Sequence, residues 1–258
     1  MFSNLNFIAF ATIAKKETNR IFRIWSQTLL PPVISQSLYF VIFGGLIGSQ
    51  IRGYEQFGSY MAFLIPGIVM MAVITNSYTN VVSSFFGSKF QRNYEELLVS
   101  PTPTWVILAG YVWGGIFRGI LVGLIVLLVS YFFVHPTIQN PLIVLLFSLL
   151  TASAFSLGGF FNSLFAKSFD DVQIIPTFVL TPLTYLGGVF YSVNKLPEFW
   201  QNVSKFNPIV YMIDGFRFGF FGVSDVPLWS SFGILIIFNA VLVAINMYLL
   251  NKGYGLKS

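Results

Sequence analysis

The chain has 258 residues, of which 55% are hydrophobic, 18% aromatic and 9% charged, with a formal net charge of +5 and no Cys. Soluble domains carry charge at roughly a quarter of their positions, so this composition excludes an ordinary soluble domain and points to lipid as the solvent. The missing Cys removes disulfides, thiolate metal sites and Cys nucleophiles, and the basic residues lie in short loops beside apolar runs rather than in a stripe, which excludes a nucleic-acid surface.

In chain order, the first feature is a segment with two faces. Lys16, Arg20, Arg23 and Gln27 fall on one side at helical spacing, and Phe10, Ala14, Ile21 and Trp25 on the other. This predicts an amphipathic helix lying in a membrane interface, with an ordinary basic flank as the alternative. No small-residue cleavage site follows the next apolar run, so that run is expected to direct insertion itself.

Uncharged runs then predict membrane spans at 29–49, between Arg23 and Arg52, and at 60–86, between Glu55 and Lys89. Two more fall at 172–193, between Asp171 and Lys195, and at 228–250, between Asp225 and Lys252. Each supplies the ~20 residues that cross ~30 Å of hydrocarbon. The stretch from Arg118 to Lys167 is interrupted by His135-Pro136-Thr137-Ile138-Gln139-Asn140-Pro141, a turn signal. It divides into spans at 142–166 and 105–134, the latter carrying Arg118 inside it. The expectation is an all-α integral membrane protein with six transmembrane helices in a single domain, 1–258.

Lys and Arg in the short loops set the orientation. Lys15, Lys16, Arg20, Arg23, Lys89, Arg92, Lys167, Lys252 and Lys257 fall on one side; Arg52, Lys195, Lys205 and Arg217 fall on the other. Both termini are therefore expected in the cytoplasm, and the 194–227 segment outside it.

Four features stand out for mechanism. The 87–104 loop mixes charge with Tyr94, Leu97 and Leu98 and ends in Pro101-Thr102-Pro103, which suits a short helix stopped by proline. A docking element and a plain solvated loop both fit it. Arg118 either snorkels or pairs structurally, or it serves a transport path. Gly110, Gly114, Gly115, Gly119 and Gly123 give overlapping small-xxx-small spacings, which allow close helix approach. The 194–227 segment is too broken by Pro, Gly and charge to span and too aromatic to be a free loop. Short helices dipping into the interface fit it, and Asp214 and Arg217 are spaced to pair on one helical face.

Absences narrow the class. The assigned spans contain no Asp or Glu, which argues against a proton- or sodium-coupled relay. No Gly-Lys dipeptide occurs, so the chain has no P-loop of its own, and neither G-x-S-x-G nor H-E-x-x-H is present. His135 is the one His and sits beside a proline at a span end.

The run Pro182, Gly187-Gly188-Val189-Phe190-Tyr191, Leu196-Pro197, Asn207-Pro208, Tyr211, Asp214 and Arg217 resembles the signature of ABC-2 type permeases. Glu95-Glu96-Leu97-Leu98 before Ser100-Pro101 is similar to the same family's loop. Drug, nodulation-factor and polysaccharide export permeases share the motif. The resemblance implies a type V exporter-like fold with an amphipathic connecting helix, six spans, and re-entrant half-helices between spans five and six. It implies a homodimer in the lipid bilayer with two copies of a separate P-loop ABC ATPase. Mg-ATP would sit on that partner, leaving this chain with no cofactor, metal or catalytic residue. Arg92, Tyr94, Glu95, Glu96, Leu97 and Leu98 would couple to the ATPase. Pro197, Asn207, Pro208, Tyr211, Asp214 and Arg217 would form an external gate. The implied role is export of an amphipathic, lipid-linked or glycan-type substrate across the bacterial inner membrane. An intramembrane lipid-acting enzyme or a passive channel is the alternative.

Overall fold

The computed structural model describes residues 2–255, without the side chains of residues 2–4, 49, 95, 97 and 98. The described residues are helical and loop, with no strand. Five segments are long and apolar enough to cross a membrane: Trp25–Leu46, Tyr60–Phe90, Thr104–Ser130, Pro141–Phe165 and Leu228–Lys252.

The chain begins with α1 (Phe2–Arg23), then α2 (Trp25–Thr28) and α3 (Leu30–Tyr39), which runs on through a wider turn at Phe40–Leu46. There Ile47 N–H reaches back five residues to Ile42 at 3.0 Å. The longest helix, α4 (Tyr60–Phe90), starts at Ser59, whose hydroxyl accepts from Ala62 N–H at 3.1 Å. After a turn come α5 (Tyr94–Val99), α6 (Thr104–Ser130) and α7 (Pro141–Phe165). Pro141 opens α7 where its missing N–H leaves no bond unmade.

The fifth predicted span differs from expectation. It is α8 (Phe169–Ile175), a wider turn at Pro176–Leu180, and α9 (Thr181–Tyr185). Ser168 and Asp171 start it with reciprocal side-chain caps: Ser168 Oγ accepts from Asp171 N–H at 3.1 Å, and the Asp171 carboxylate accepts from the N–H groups of Lys167 and Ser168 at 2.9 and 3.1 Å. Thr181 N–H reaches back five residues to Pro176 O, and Pro182 after it has no N–H to continue the ladder. The helix ends at Tyr185, eight residues short of the predicted 193. Gly187 and Gly188 turn the chain there, with Gly188 in the left-handed region at φ +81°. The third span likewise stops at Ser130, and 131–133 form a tightened last turn.

After α10 (Glu198–Ser204) and α11 (Pro208–Phe221), the chain closes with α12 (Leu228–Lys252). The helix α4 forms the centre, packed against both α6 and α7, which also meet each other. Its most apolar window is 89% buried, against 22% for α12, so α12 offers most of its apolar surface outward. Aromatic rings fill the core around Phe63, Phe147, Phe216 and Phe220.

Candidate functional site

At one end of the bundle, the predicted signature residues meet. The turn after α9 lies on α4: a Cβ at Gly67 would come within 2.7 Å of the Val189 carbonyl, so only glycine lets the two backbones approach. Tyr60 donates its hydroxyl to Phe190 O at 2.8 Å. Arg217, buried on α11, donates from Nη2 to Gly188 O at 2.7 Å and lies over the Phe63 ring, 4.0 Å from its centre.

Asp214 and Arg217 form no ion pair, contrary to the spacing-based expectation. Asp214 instead accepts from the N–H groups of Asp225 and Val226, both at 2.9 Å, and caps the turn that leads into α12. Asp225 in turn accepts from Ser192 Oγ at 2.6 Å, Val193 N at 3.1 Å and Asn194 Nδ2 at 3.0 Å. Two buried groups that spacing would pair are each committed to distant backbone, and this draws the α9–α10 and α11–α12 connections together.

The remaining residues of this set have structural partners too. Asn207 caps α11 by accepting from Ile209 N–H at 3.0 Å, and its Nδ2 donates to Leu183 O at 2.7 Å, one of the open carbonyls at the end of α9. Pro208 takes the first position of α11 and Pro197 precedes α10. Tyr211 donates to Lys205 O at 2.8 Å. Lys195 clamps the opposite loop, donating to Gly53 O and lying 3.4 Å from the centre of the Tyr54 ring. Gly53 N–H holds the Glu55 carboxyl below its usual range.

At the other end of the bundle sits α5. Arg92 makes the turn ahead of it in the left-handed region, at φ +60°. Tyr94 is buried against the helices beside it, and Glu96 is exposed. A cavity of about 540 Å³ separates α5 from α1, lined by Thr12, Lys16, Asn93, Glu96 and Tyr111. The side chains of Glu95, Leu97 and Leu98 lie outside the described residues.

Between the two ends, α1 is drawn onto the bundle by a buried polar cluster that sequence reasoning missed. Glu17 is fully buried. Ser84 of α4 donates to its Oε1 at 2.7 Å, and Arg20 donates to its Oε2 at 3.0 Å. Arg20 also reaches Asn80 Oδ1 at 2.9 Å, so it points inward rather than toward an aqueous face. One turn deeper, Arg118 donates to Thr28 O and Asn76 Oδ1, each at 3.2 Å. Its guanidinium thus links α2, α4 and α6.

The glycines of α6 make room for these approaches. A Cβ at Gly114 would fall 2.7 Å from Glu17 Cβ, and Gly110 receives Ile13 in the same way. On the neighbouring face, Gly115 and Gly119 lie against the backbone of α4, with Cβ positions 2.9 Å from Ser77 O and 3.1 Å from Val73 O. Gly123 meets the Val73 side chain. The overlapping spacings therefore serve three partners: α1 at Gly110 and Gly114, α4 at Gly115, Gly119 and Gly123, and α7 at Gly115, where a Cβ would also meet Ser156 Oγ.

Among the described residues no group of His, Asp and Glu is placed to hold a metal. Comparison with known proteins gives the architecture a family. The model of the ABC-2 type transporter family matches residues 8–221. The inner membrane transport permease YadH of Escherichia coli K12 is 56% identical over 255 residues, covering 99% of both chains. Nodulation protein J of Rhizobium leguminosarum bv. viciae is 24% identical over 246 residues, with 90% of this chain and 92% of that protein covered. Nodulation protein J of Rhizobium meliloti is 25% identical over 203 residues, 77% of each chain. The chain belongs to the ABC-2 type transporter family.

Proposed function

We propose that the chain is the membrane-embedded permease subunit of an ATP-driven exporter in a bacterial inner membrane. ABC-2 permeases normally work with an ABC ATPase, and Mg-ATP belongs to that partner. The working unit is two copies of this chain with two ATPase subunits. The substrate is amphipathic, lipid-linked or of glycan type, in keeping with similarity to an inner membrane transport permease and to nodulation proteins.

The observation that carries the reading is the position of α5. The helix α4 is the most enclosed of the five long apolar helices, and one short turn joins it to α5. Tyr94 is seated in the bundle and Glu96 faces outward. A push on α5 is therefore delivered to the centre of the permease rather than to a free loop. With α8–α9 as the fifth of six spans, both termini and α5 lie in the cytoplasm, as the distribution of Lys and Arg favours. On this topology α10 and α11 form a re-entrant external gate. The Gly187-Gly188 turn joins it to α9 and is held by Arg217 and, through Phe190, by Tyr60.

Charge reversal in the loop tests the reading. Glu95→Lys with Glu96→Lys is expected to weaken association with the ATPase while the permease still inserts. Unchanged association and unchanged coupled ATP hydrolysis would remove α5 from the coupling role.

A further inference from the structure

A second cavity, of about 450 Å³, opens between the last turns of α4 and α7. Three cations line it, Lys89, Arg92 and Lys167, and its walls include Phe86, Phe90 and Phe165. Among the described residues no carboxylate lines it. The carboxylates nearest it along the chain are Glu95 and Glu96 on α5 and Asp170 and Asp171 on α8; Glu96 lines the cavity toward α1 instead, and Asp171 is engaged by the N–H groups of Lys167 and Ser168 at 2.9 and 3.1 Å. An open cavity lined by three cations and, among the described residues, by no carboxylate is complementary to an anion.

Its construction is specific. Lys89 donates to Leu164 O at 2.8 Å and Ala166 O at 3.0 Å, taking two carbonyls at the end of α7 and keeping one N–H spare. Arg92 is the one described residue other than glycine with a positive φ. Backbone of that kind persists where the surroundings impose it, and it clusters at ligand clamps. Beyond the cations lies an aromatic shelf. Phe90 is 65% exposed and Phe169 58% exposed, with ring centres 5.1 Å apart, and Phe169 meets Phe86 edge-on at 5.0 Å. Aromatic rings beside basic residues at the ends of spans suit the headgroup layer, where basic pockets between helices take anionic headgroups.

We propose that this cavity binds the phosphate headgroup of an anionic phospholipid. Lys89, Arg92 and Lys167 contact the phosphate, and the first carbons of the acyl chains lie along Phe86, Phe90 and Phe169. The volume falls within the ~300–1,000 Å³ of small-ligand sites, enough for a phosphoglycerol group. Because α4 leads into α5, the bound headgroup ties the bilayer to the loop helix. That consequence rests on the coupling role proposed above; the binding does not.

The test uses the full chain in nanodiscs of phosphatidylcholine with a graded fraction of phosphatidylglycerol, with retained lipid read by native mass spectrometry. The comparison is Arg92→Asn with Lys167→Gln, which leaves Lys89 and its α7 bonds intact; Asn tolerates the left-handed backbone. The wild type is expected to enrich phosphatidylglycerol. The double variant is expected to lose roughly thirtyfold of that preference, at about fivefold per surface cation. Should the double variant melt lower in phosphatidylcholine alone, Lys167→Gln by itself carries the comparison, with a roughly fivefold loss. Equal enrichment in wild type and variant overturns the proposal. Inorganic phosphate retained by the wild type and not by the variant, with no enrichment of phosphatidylglycerol in either, overturns it in favour of a soluble anion. Unchanged enrichment with lost ATPase binding overturns it in favour of an acidic side chain of the partner.

Discussion

Arg217 donates to the carbonyl of Gly188 at 2.7 Å across 29 residues of chain, and in doing so fastens α11 to the turn that ends α9. Replacing it by Met leaves that carbonyl unpaired in a buried setting. We expect a loss of about 2–3 kcal/mol, the scale of a buried hydrogen bond to a charged group, read as a lower melting temperature in detergent. Arg217→Lys should recover only part of it. A point charge on a flexible stem does not reproduce a planar guanidinium that bonds Gly188 and covers the Phe63 ring at once.

Asp214 makes the complementary joint. Its two carboxylate oxygens accept the N–H groups of Asp225 and Val226. Asp214→Asn keeps one acceptor and turns the other into a donor. Hydrogen exchange at the amides of Asp225 and Val226 should quicken by roughly tenfold, the equivalent of one lost hydrogen bond, while exchange in α4 stays as in the wild type.

The Glu17 cluster predicts a coupled pair. Removing one partner of a buried ion pair typically costs about 3–5 kcal/mol, and Arg20, with a fifth of its side chain exposed, recovers some of that from water. Glu17→Gln should therefore destabilise the protein by roughly 2–3 kcal/mol. Arg20→Gln in that background should add much less than it costs alone. Thermal melts of the two single variants and the double variant measure this; additive losses would show that the two charges act independently.

Two glycines separate packing from backbone propensity. Gly119→Ala pushes a Cβ against Ser77 and the Val73 carbonyl, so α4 and α6 must part, and about 1–3 kcal/mol should be lost. Gly87→Ala on α4 meets no atom within 4 Å. That variant should be neutral or gain roughly 0.5–1 kcal/mol from the reduced freedom of the unfolded chain. Equal losses at both positions would contradict the close approach at Gly119.

Much of this was legible from local pattern. Long uncharged runs marked α4, α7 and α12, the apolar run around Arg118 marked α6, and the two prolines around Gln139 marked the break between α6 and α7. The α6 glycine spacing signalled close packing, because small residues four apart share a helix face. What depended on distant partners was not legible. Glu17 stands beside Lys15 and Lys16 and looks solvated, yet its partner Ser84 lies 67 residues away on α4. Its i, i+3 relation to Arg20 was the available clue. Asp214 and Arg217 have pairing geometry along one helix, but backbone groups brought in by two turns claim them first. The early end of α9 follows from the Gly187-Gly188 turn and from Asn207 taking the Leu183 carbonyl, neither of which hydropathy registers.

The central claim is that this permease is driven by a separate ATPase. The most direct measurement is purification from the native membrane in mild detergent, with mass spectrometry of what accompanies the chain. The account predicts a P-loop ATPase at about one copy per permease. Recovery of the permease without any such ATPase, under conditions that keep other membrane complexes whole, would contradict it and remove α5 from the coupling role.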